Sequence, residues 1–198
     1  MRAQSALVML ALALTACARM PVTDDGLGFE RRQAALGAIA DWDIRGGIAV
    51  DDGERAYQAR FTWQQRGDEL ELVVSSRVPG TRSFRIAGDE TGLAVESRGE
   101  TRILNDPELQ LSEMLGWWMP VSSAEHWLLG RPDPDYPAAS SVGTNDTLSG
   151  LDQRDWRIAY EEYQMAEGRL VPRIIRLTHA PLELTLRILD WESAMAEP

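Results

Sequence analysis

The sequence predicts a mainly β (α+β) protein. One large antiparallel sheet of about eleven strands curls into an incomplete barrel, and three helices form a lid over an apolar cavity. Three observations predict it. Most of the chain alternates apolar and polar residues with a period of two, the pattern of strands buried on one face. The alternating stretches are joined by short Gly- and Asp-rich turns, too short for parallel crossovers, so neighbouring strands run antiparallel. Only three stretches show helical spacing, and they are the only elements available to cover the apolar face of so large a sheet.

The N-terminal stretch is set apart. Arg2 precedes the apolar run from Ala6 to Leu14. That run is shorter than the ~20 residues a membrane-spanning helix needs, and with the small residues after it the layout is that of a secretory signal. Leu14-Thr15-Ala16-Cys17 looks like a bacterial lipobox, in which the cysteine thiol takes a diacylglycerol and becomes the new N-terminus. Cys17 is the only cysteine, so an internal disulfide is impossible. Lipidation caps a thiol that would otherwise face an oxidising compartment; the other reading is a free cysteine after an ordinary signal. The expected organisation is a signal peptide at 1–16 that is removed, a lipidated tether at 17–28, one domain at 29–192 and a frayed tail at 193–198. Ala18, directly after Cys17, is compatible with outer-membrane sorting, where Asp would usually signal inner-membrane retention.

Phe29 to Ala40 reads as a helix, with Phe29, Arg32, Leu36 and Ile39 near one face. From Asp41 the period becomes two. Trp42, Ile44, Gly46, Ile48 and Val50 share a face, and Asp51-Asp52-Gly53 turns the chain. Ala59, Phe61 and Trp63 follow Tyr57 on one side of the next strand. Leu70, Leu72 and Val74 continue the pattern, then Phe84 with Ile86, then Leu93 with Val95, and a hairpin at Arg98-Gly99-Glu100. Asp106-Pro107 opens a second helix, which Gly116 ends. Pro120 starts a third, stopped by Gly130-Arg131-Pro132. Asp133 to Gly150 reads as loop with room for one short strand. Strands resume at Trp156 to Tyr160, around Ile175 and Leu177, and from Leu184 to Trp191.

Composition narrows the function. Basic residues number 20 and acidic ones 31, for a net charge of −11, which argues against nucleic acid as a partner and against electrostatic adhesion to anionic lipid. Every one of those basic residues is arginine. A chain without lysine has no P-loop, Schiff-base or kinase-type lysine, so any transport it performs is expected to run downhill. His126 and His179 lack partners at metal-ligand spacing, and no Gly-x-Ser-x-Gly elbow occurs. Asp133 and Asp135 are expected to be solvated turn residues. No catalytic set, metal or cofactor is expected beyond the covalent lipid on Cys17. The seven tryptophans are high for this length; large rings on the inner face either fill a core or line a pocket, and periodicity does not separate the two.

Arg45-Gly46, Phe61-Thr62-Trp63-Gln64-Gln65, the Gly80 turn, Trp127-Leu128-Leu129-Gly130-Arg131-Pro132, and Trp156-Arg157-Ile158-Ala159-Tyr160 followed by Tyr163, in that order behind a lipobox, resemble the LolB family of outer-membrane lipoproteins. The resemblance implies an incomplete barrel with a helical lid, anchored in the outer membrane and facing the periplasm. It implies a monomer that accepts acylated lipoprotein cargo from the periplasmic carrier LolA, holds the acyl chains in its apolar hollow and places them in outer-membrane lipid without ATP. Trp63, Trp127 and Trp156 match family positions; with Ile48, Phe61, Leu72 and Leu186 they are the candidate lipid contacts. The family's protruding loop carries an exposed leucine before a glycine. Here the stretch is Val78-Pro79-Gly80, Pro79 holds the matching position, and Val78 is the candidate apolar tip. Two other readings stay open: a lipid-anchored scaffold with no transfer activity, and, with no catalytic set to support it, an envelope enzyme acting on lipid or glycan.

Overall fold

The computed structural model describes residues 27–76, 83–89 and 91–193. The lipobox with Cys17 and the Val78-Pro79-Gly80 loop lie outside the described residues. Helix α1 (Leu27–Gly37) leads into β1 (Asp41–Asp51), β2 (Ala56–Arg66), β3 (Glu69–Ser76), β4 (Ser83–Asp89), β5 (Gly92–Ser97) and β6 (Glu100–Leu104). Helices α2 (Pro107–Leu115) and α3 (Val121–Leu128) follow. The chain returns through β7 (Ala138–Val142), β8 (Leu148–Gln153), β9 (Trp156–Ala166), β10 (Arg169–His179) and β11 (Leu182–Ser193).

All eleven strands form one sheet, ordered β6-β5-β4-β3-β2-β1-β11-β10-β9-β8-β7, and every pairing is antiparallel. β1 and β11 meet at the centre, so the first and last strands tie the two halves together. Strand length falls from 12 residues in β11 to 5 in β6 and in β7, and short edges resist pairing with another chain. The barrel is incomplete because β6 and β7 do not pair. The segment joining those two edges is the one that contains α2 and α3. Connectivity therefore places these two helices across the open side.

The registers align the inner residues into rows, because directly paired residues share a face. One row runs Val95, Ile86, Leu72, Trp63, Ile44, Trp191 across six strands. The next runs Phe84, Val74, Phe61, Gly46, Ile188. Gly46 sits where the β1–β11 register shifts. A Cβ there would lie 2.2 Å from the Arg187 carbonyl oxygen and 3.0 Å from the Phe61 ring, so the absence of a side chain lets that ring lie down on the sheet. The bulge pushes Leu189 outward, where it is 63% exposed, and such bulges add the bend a curled sheet needs. The outer face is polar. Arg66–Asp43 and Arg85–Glu71 close at 2.8 Å across neighbouring strands; exposed pairs of this kind contribute little stability but keep the convex surface wet.

Three differences from the sequence reading stand out. Asp133 to Gly150 holds the whole of β7 and the start of β8. Asp133 is not a solvated turn residue: it is 2% exposed, accepting hydrogen bonds from the Ser123 hydroxyl (2.5 Å) and the Asp135 N–H (3.0 Å). And the helices divide their work. Leu36 of α1 is buried, and Phe29 packs on the core, while the Arg32 guanidinium donates to the Leu170 carbonyl. α1 thus braces the β10 side, and α2 and α3 supply the helical walls of the interior.

Candidate functional site

Of the hollows between the sheet and the helices, two adjoin each other and have apolar floors. The inner one measures about 70 Å³. Its floor is Ile48, Phe61, Trp63, Leu72 and Val74 from β1 to β3, with Ile175, Leu177, Leu184 and Leu186 from β10 and β11. Met119 and the α3 residues Ala124, Trp127 and Leu128 cover it. Every lining side chain is apolar. The outer hollow measures about 1140 Å³. Ala59, Val74, Phe84, Ile86 and Val95 line its sheet side, and Leu111, Met114 and Leu115 its helix side, with charged residues at the rim. Val74 borders both, so the two are contiguous.

Six of the seven candidate contacts therefore meet in one lining: Ile48, Phe61, Trp63, Leu72, Trp127 and Leu186. Trp156 does not join them. It is 1% exposed and packed among Trp117, Trp127 and His179, with ring centroids 6.4, 6.4 and 5.3 Å away. Its parity along β9 put it on the right face, but neighbouring rings fill the space it faces. The sequence reading missed Met119, Ala124 and Leu128, whose place depends on how α3 docks. Ile175, Leu177 and Leu184 were signalled by their alternation.

The polar tips of the lining rings are turned away and satisfied. Trp63 Nε1 donates to Gln65 Oε1 at 2.9 Å, and the Gln65 amide donates to the Gly67 carbonyl at 2.9 Å. Trp127 Nε1 donates to Gln153 Oε1 at 2.9 Å. With these N–H groups spent inside the protein, the rings present carbon to the hollow. Burial drives the Tyr160 hydroxyl far above its ordinary pKa; it stays protonated and donates to the Trp127 carbonyl at 3.0 Å, fixing the end of α3.

The lid is fastened at one corner. Arg154 sits in the β8–β9 turn with φ +52°. Its guanidinium reaches both Glu108 carboxylate oxygens in α2, at 2.9 and 2.5 Å, and the Ser122 and Ser123 hydroxyls in α3, each at 3.1 Å. It also lies 4.0 Å from the centroid of Tyr136 and 5.3 Å from that of Trp118. One side chain thus holds both helices and the loop between them to the sheet. At the far end of α3, His126 Nε2 lies 3.5 Å from Glu125 and 3.8 Å from Asp133. Burial, then the charge of Arg131, lower its pKa below 6.5 against the pull of Asp133 and Asp135. Among the described residues, no three His, Cys, Asp or Glu side chains are grouped to hold a metal ion.

An open antiparallel barrel, a two-helix cover and an inner hollow with a wholly apolar lining define a class of protein: the lidded half-barrel with a greasy hollow. The family described as outer membrane lipoprotein LolB matches residues 40–191. The outer-membrane lipoprotein LolB of Nitrosococcus oceani is 32% identical over 188 residues, 94% of this chain and 93% of that relative. LolB of Tolumonas auensis is 28% identical over 191 residues, 95% of each. Among solved structures, a LolA superfamily protein from Nitrosomonas europaea superposes with a TM-score of 0.55 at 12% identity, covering 86% of this chain and 94% of that one; it shares the fold. The chain belongs to the LolB family of outer-membrane lipoproteins. Its location is the outer membrane, and among the described residues no helix is long and apolar enough to cross a membrane.

Proposed function

We propose that this protein receives lipoproteins from the periplasmic carrier LolA, binds their acyl chains between sheet and lid, and releases them into the outer membrane with no cofactor and no ATP. The observation that carries the reading is the inner lining: thirteen residues from five strands, the lid helix and the loop before it, none of them polar. Exposing an acyl chain of ~15 methylenes costs on the order of 12 kcal/mol, at ~0.8 kcal/mol each. Cargo with such chains needs shelter across water, and a surface of this kind supplies it. Direction then follows from affinity, since a tenfold preference at each step needs only ~1.4 kcal/mol.

The size of the inner hollow adds a mechanical step. At about 70 Å³ it is under half the ~150 Å³ of an apolar cavity that admits benzene. This is the closed state, and loading requires α3 and Met119 to lift from the floor. The adjoining 1140 Å³ space is the route by which a chain reaches the Val74 threshold. Val78, in the sequence between β3 and β4, is the residue proposed to enter the bilayer at delivery.

The test is transfer of a purified lipoprotein from LolA to the full chain in outer-membrane vesicles without nucleotide. Transfer is expected for the unaltered protein. Leu186→Asp places a charge in the apolar floor and is expected to abolish acceptance while the thermal transition is retained. Val78→Glu is expected to accept cargo and leave it undelivered. Transfer by Leu186→Asp at the normal rate would remove the hollow from the mechanism and favour the scaffold reading.

A further inference from the structure

The outer hollow combines an apolar floor with a cationic rim. Arg55, Arg98 and Arg102 line its mouth, with Asp52 and Glu100 beside them. Register explains Arg102. It pairs with Val95, which pairs with Ile86, which pairs with Leu72. The longest apolar row of the inner face therefore ends at its open edge in a guanidinium.

On the outer face Arg45, Arg66, Arg85, Arg157, Arg173 and Arg176 each meet a carboxylate, while Arg60 and Arg187 stand apart from one another, on β2 and β11 with β1 between them. What sets the mouth of the hollow apart is that three arginines gather there beside apolar side chains. Among the described residues, no ion pair engages Arg55, Arg98 or Arg102. Asp52 accepts from the N–H groups of Glu54 (3.0 Å) and Arg55 (2.7 Å); these bonds first, and the charge of Arg55 after them, hold its pKa down, so Arg98 and Arg102 are the arginines of the mouth least engaged by carboxylates. A chain of net charge −11 thus gathers three arginines against two carboxylates around a hollow of about 1140 Å³ with an apolar floor. The lipid on a lipoprotein cysteine is a thioether-linked diacylglycerol without phosphate, so cargo leaves these guanidinium forks unused. Such forks match phosphate oxygens in pairs.

We propose that the outer hollow binds a membrane phospholipid as a ligand in its own right, with an acyl chain on Val74, Phe84, Ile86 and Val95 and the phosphate on Arg55, Arg98 and Arg102. This goes beyond cargo reception, because the occupant and its recognition differ. A bound phospholipid keeps the apolar floor covered while no cargo is held, and it must leave or shift for cargo to load.

The full chain is reconstituted in phosphatidylethanolamine vesicles doped with phosphatidylglycerol carrying a photoreactive acyl chain, and crosslinked peptides are mapped. In parallel arms the probe is a photoreactive diacylglycerol, which lacks phosphate, or a photoreactive triacylated lipopeptide. The expected result is phosphatidylglycerol labelling of the β4 and β5 floor, at least tenfold weaker labelling by diacylglycerol, and at least a tenfold drop in an Arg55→Gln/Arg98→Gln/Arg102→Gln variant whose lipopeptide labelling is unchanged. Should that variant lose its thermal transition, Arg102→Gln alone decides, with Arg102→Lys, a charge without the fork, expected to restore labelling only in part. Labelling confined to residues 77–82, with none on the β4 and β5 floor, overturns the proposal, as does equal labelling by diacylglycerol. Lipopeptide labelling without phospholipid labelling overturns this proposal and leaves cargo reception standing; labelling by neither overturns both.

Discussion

Gln153 is buried at the hinge of the lid and spends its whole side chain there. Its Oε1 accepts from Trp127 Nε1 and the Asp133 N–H, both at 2.9 Å, and its amide donates to the Asp133 and Tyr136 carbonyls, both at 2.8 Å. Replacing it with leucine strands four partners, three of them buried. Gln153→Leu is expected to lower stability by about 2–4 kcal/mol, read from the shift in urea midpoint; a loss under ~1 kcal/mol would contradict this role. His126 gives a pH dependence. Its folded pKa is depressed by burial, so the unfolded chain binds the proton first. Stability is therefore expected to fall as pH drops below about 6.5, until the lower folded value is passed. His126→Gln should flatten that slope in thermal melts between pH 7 and 5, and an unchanged slope would assign the effect elsewhere. Residue parity was readable in the sequence, which is why Ile48, Phe61, Trp63, Leu72 and Leu186 reach one lining. Depth was not. Trp156 shares the face but is enclosed by Trp117, Trp127 and His179, and those neighbours come from distant segments. Buried Asp133 and Gln153 carried no signal either, because a polar residue in a Pro- and Asp-rich stretch looks solvated until its partners are known.

At the level of elements, strands with one wet and one dry face were legible, and those without that contrast were not. β7 is Ala-Ala-Ser-Ser-Val, exposed at every position; an edge strand with both faces in water has no alternation to show. In β8 the buried residues are Leu148, Leu151 and Gln153, and the register shift at Ser141/Val142 accompanies that broken period. The helices were visible from their caps, the Asp106 side chain accepting from the Leu109 N–H at 3.3 Å and Gly116 closing α2 at φ +82°. What they cover was set by strand order, which no local pattern encodes. The lid hangs on Arg154, which holds Glu108, Ser122 and Ser123 together. Arg154→Met keeps much of the stem and removes the charge-assisted bonds. It is expected to speed entry of a fluorescent acyl probe about tenfold, the effect of ~1.4 kcal/mol, in stopped-flow mixing with the full chain. An unchanged entry rate would show that opening does not break this contact.

The whole molecule is a sheet too wide to lie flat, joined through its terminal strands at the centre and bridged across its open side by the helices that connect its edges. That architecture leaves apolar surface on the concave side with no strand to face it. The cover supplies just enough to shut the inner space to about 70 Å³ while a far larger one stays open beside it. The wholly apolar lining, the latch at Arg154 and the contiguous outer hollow are explained together if fatty chains pass from the outer space to the inner one under a lifting lid. Trp63 and Trp127 line the inner space, whereas Trp42 and Trp156 do not. Bromine on an acyl chain quenches indole fluorescence only at contact. The most direct measurement is therefore quenching of the full chain by a triacylated lipopeptide with brominated chains, compared with a Trp63→Phe/Trp127→Phe variant. Strong quenching that is largely lost in the double variant is the predicted result; no quenching, or quenching that persists undiminished without those two rings, would contradict an acyl-binding interior.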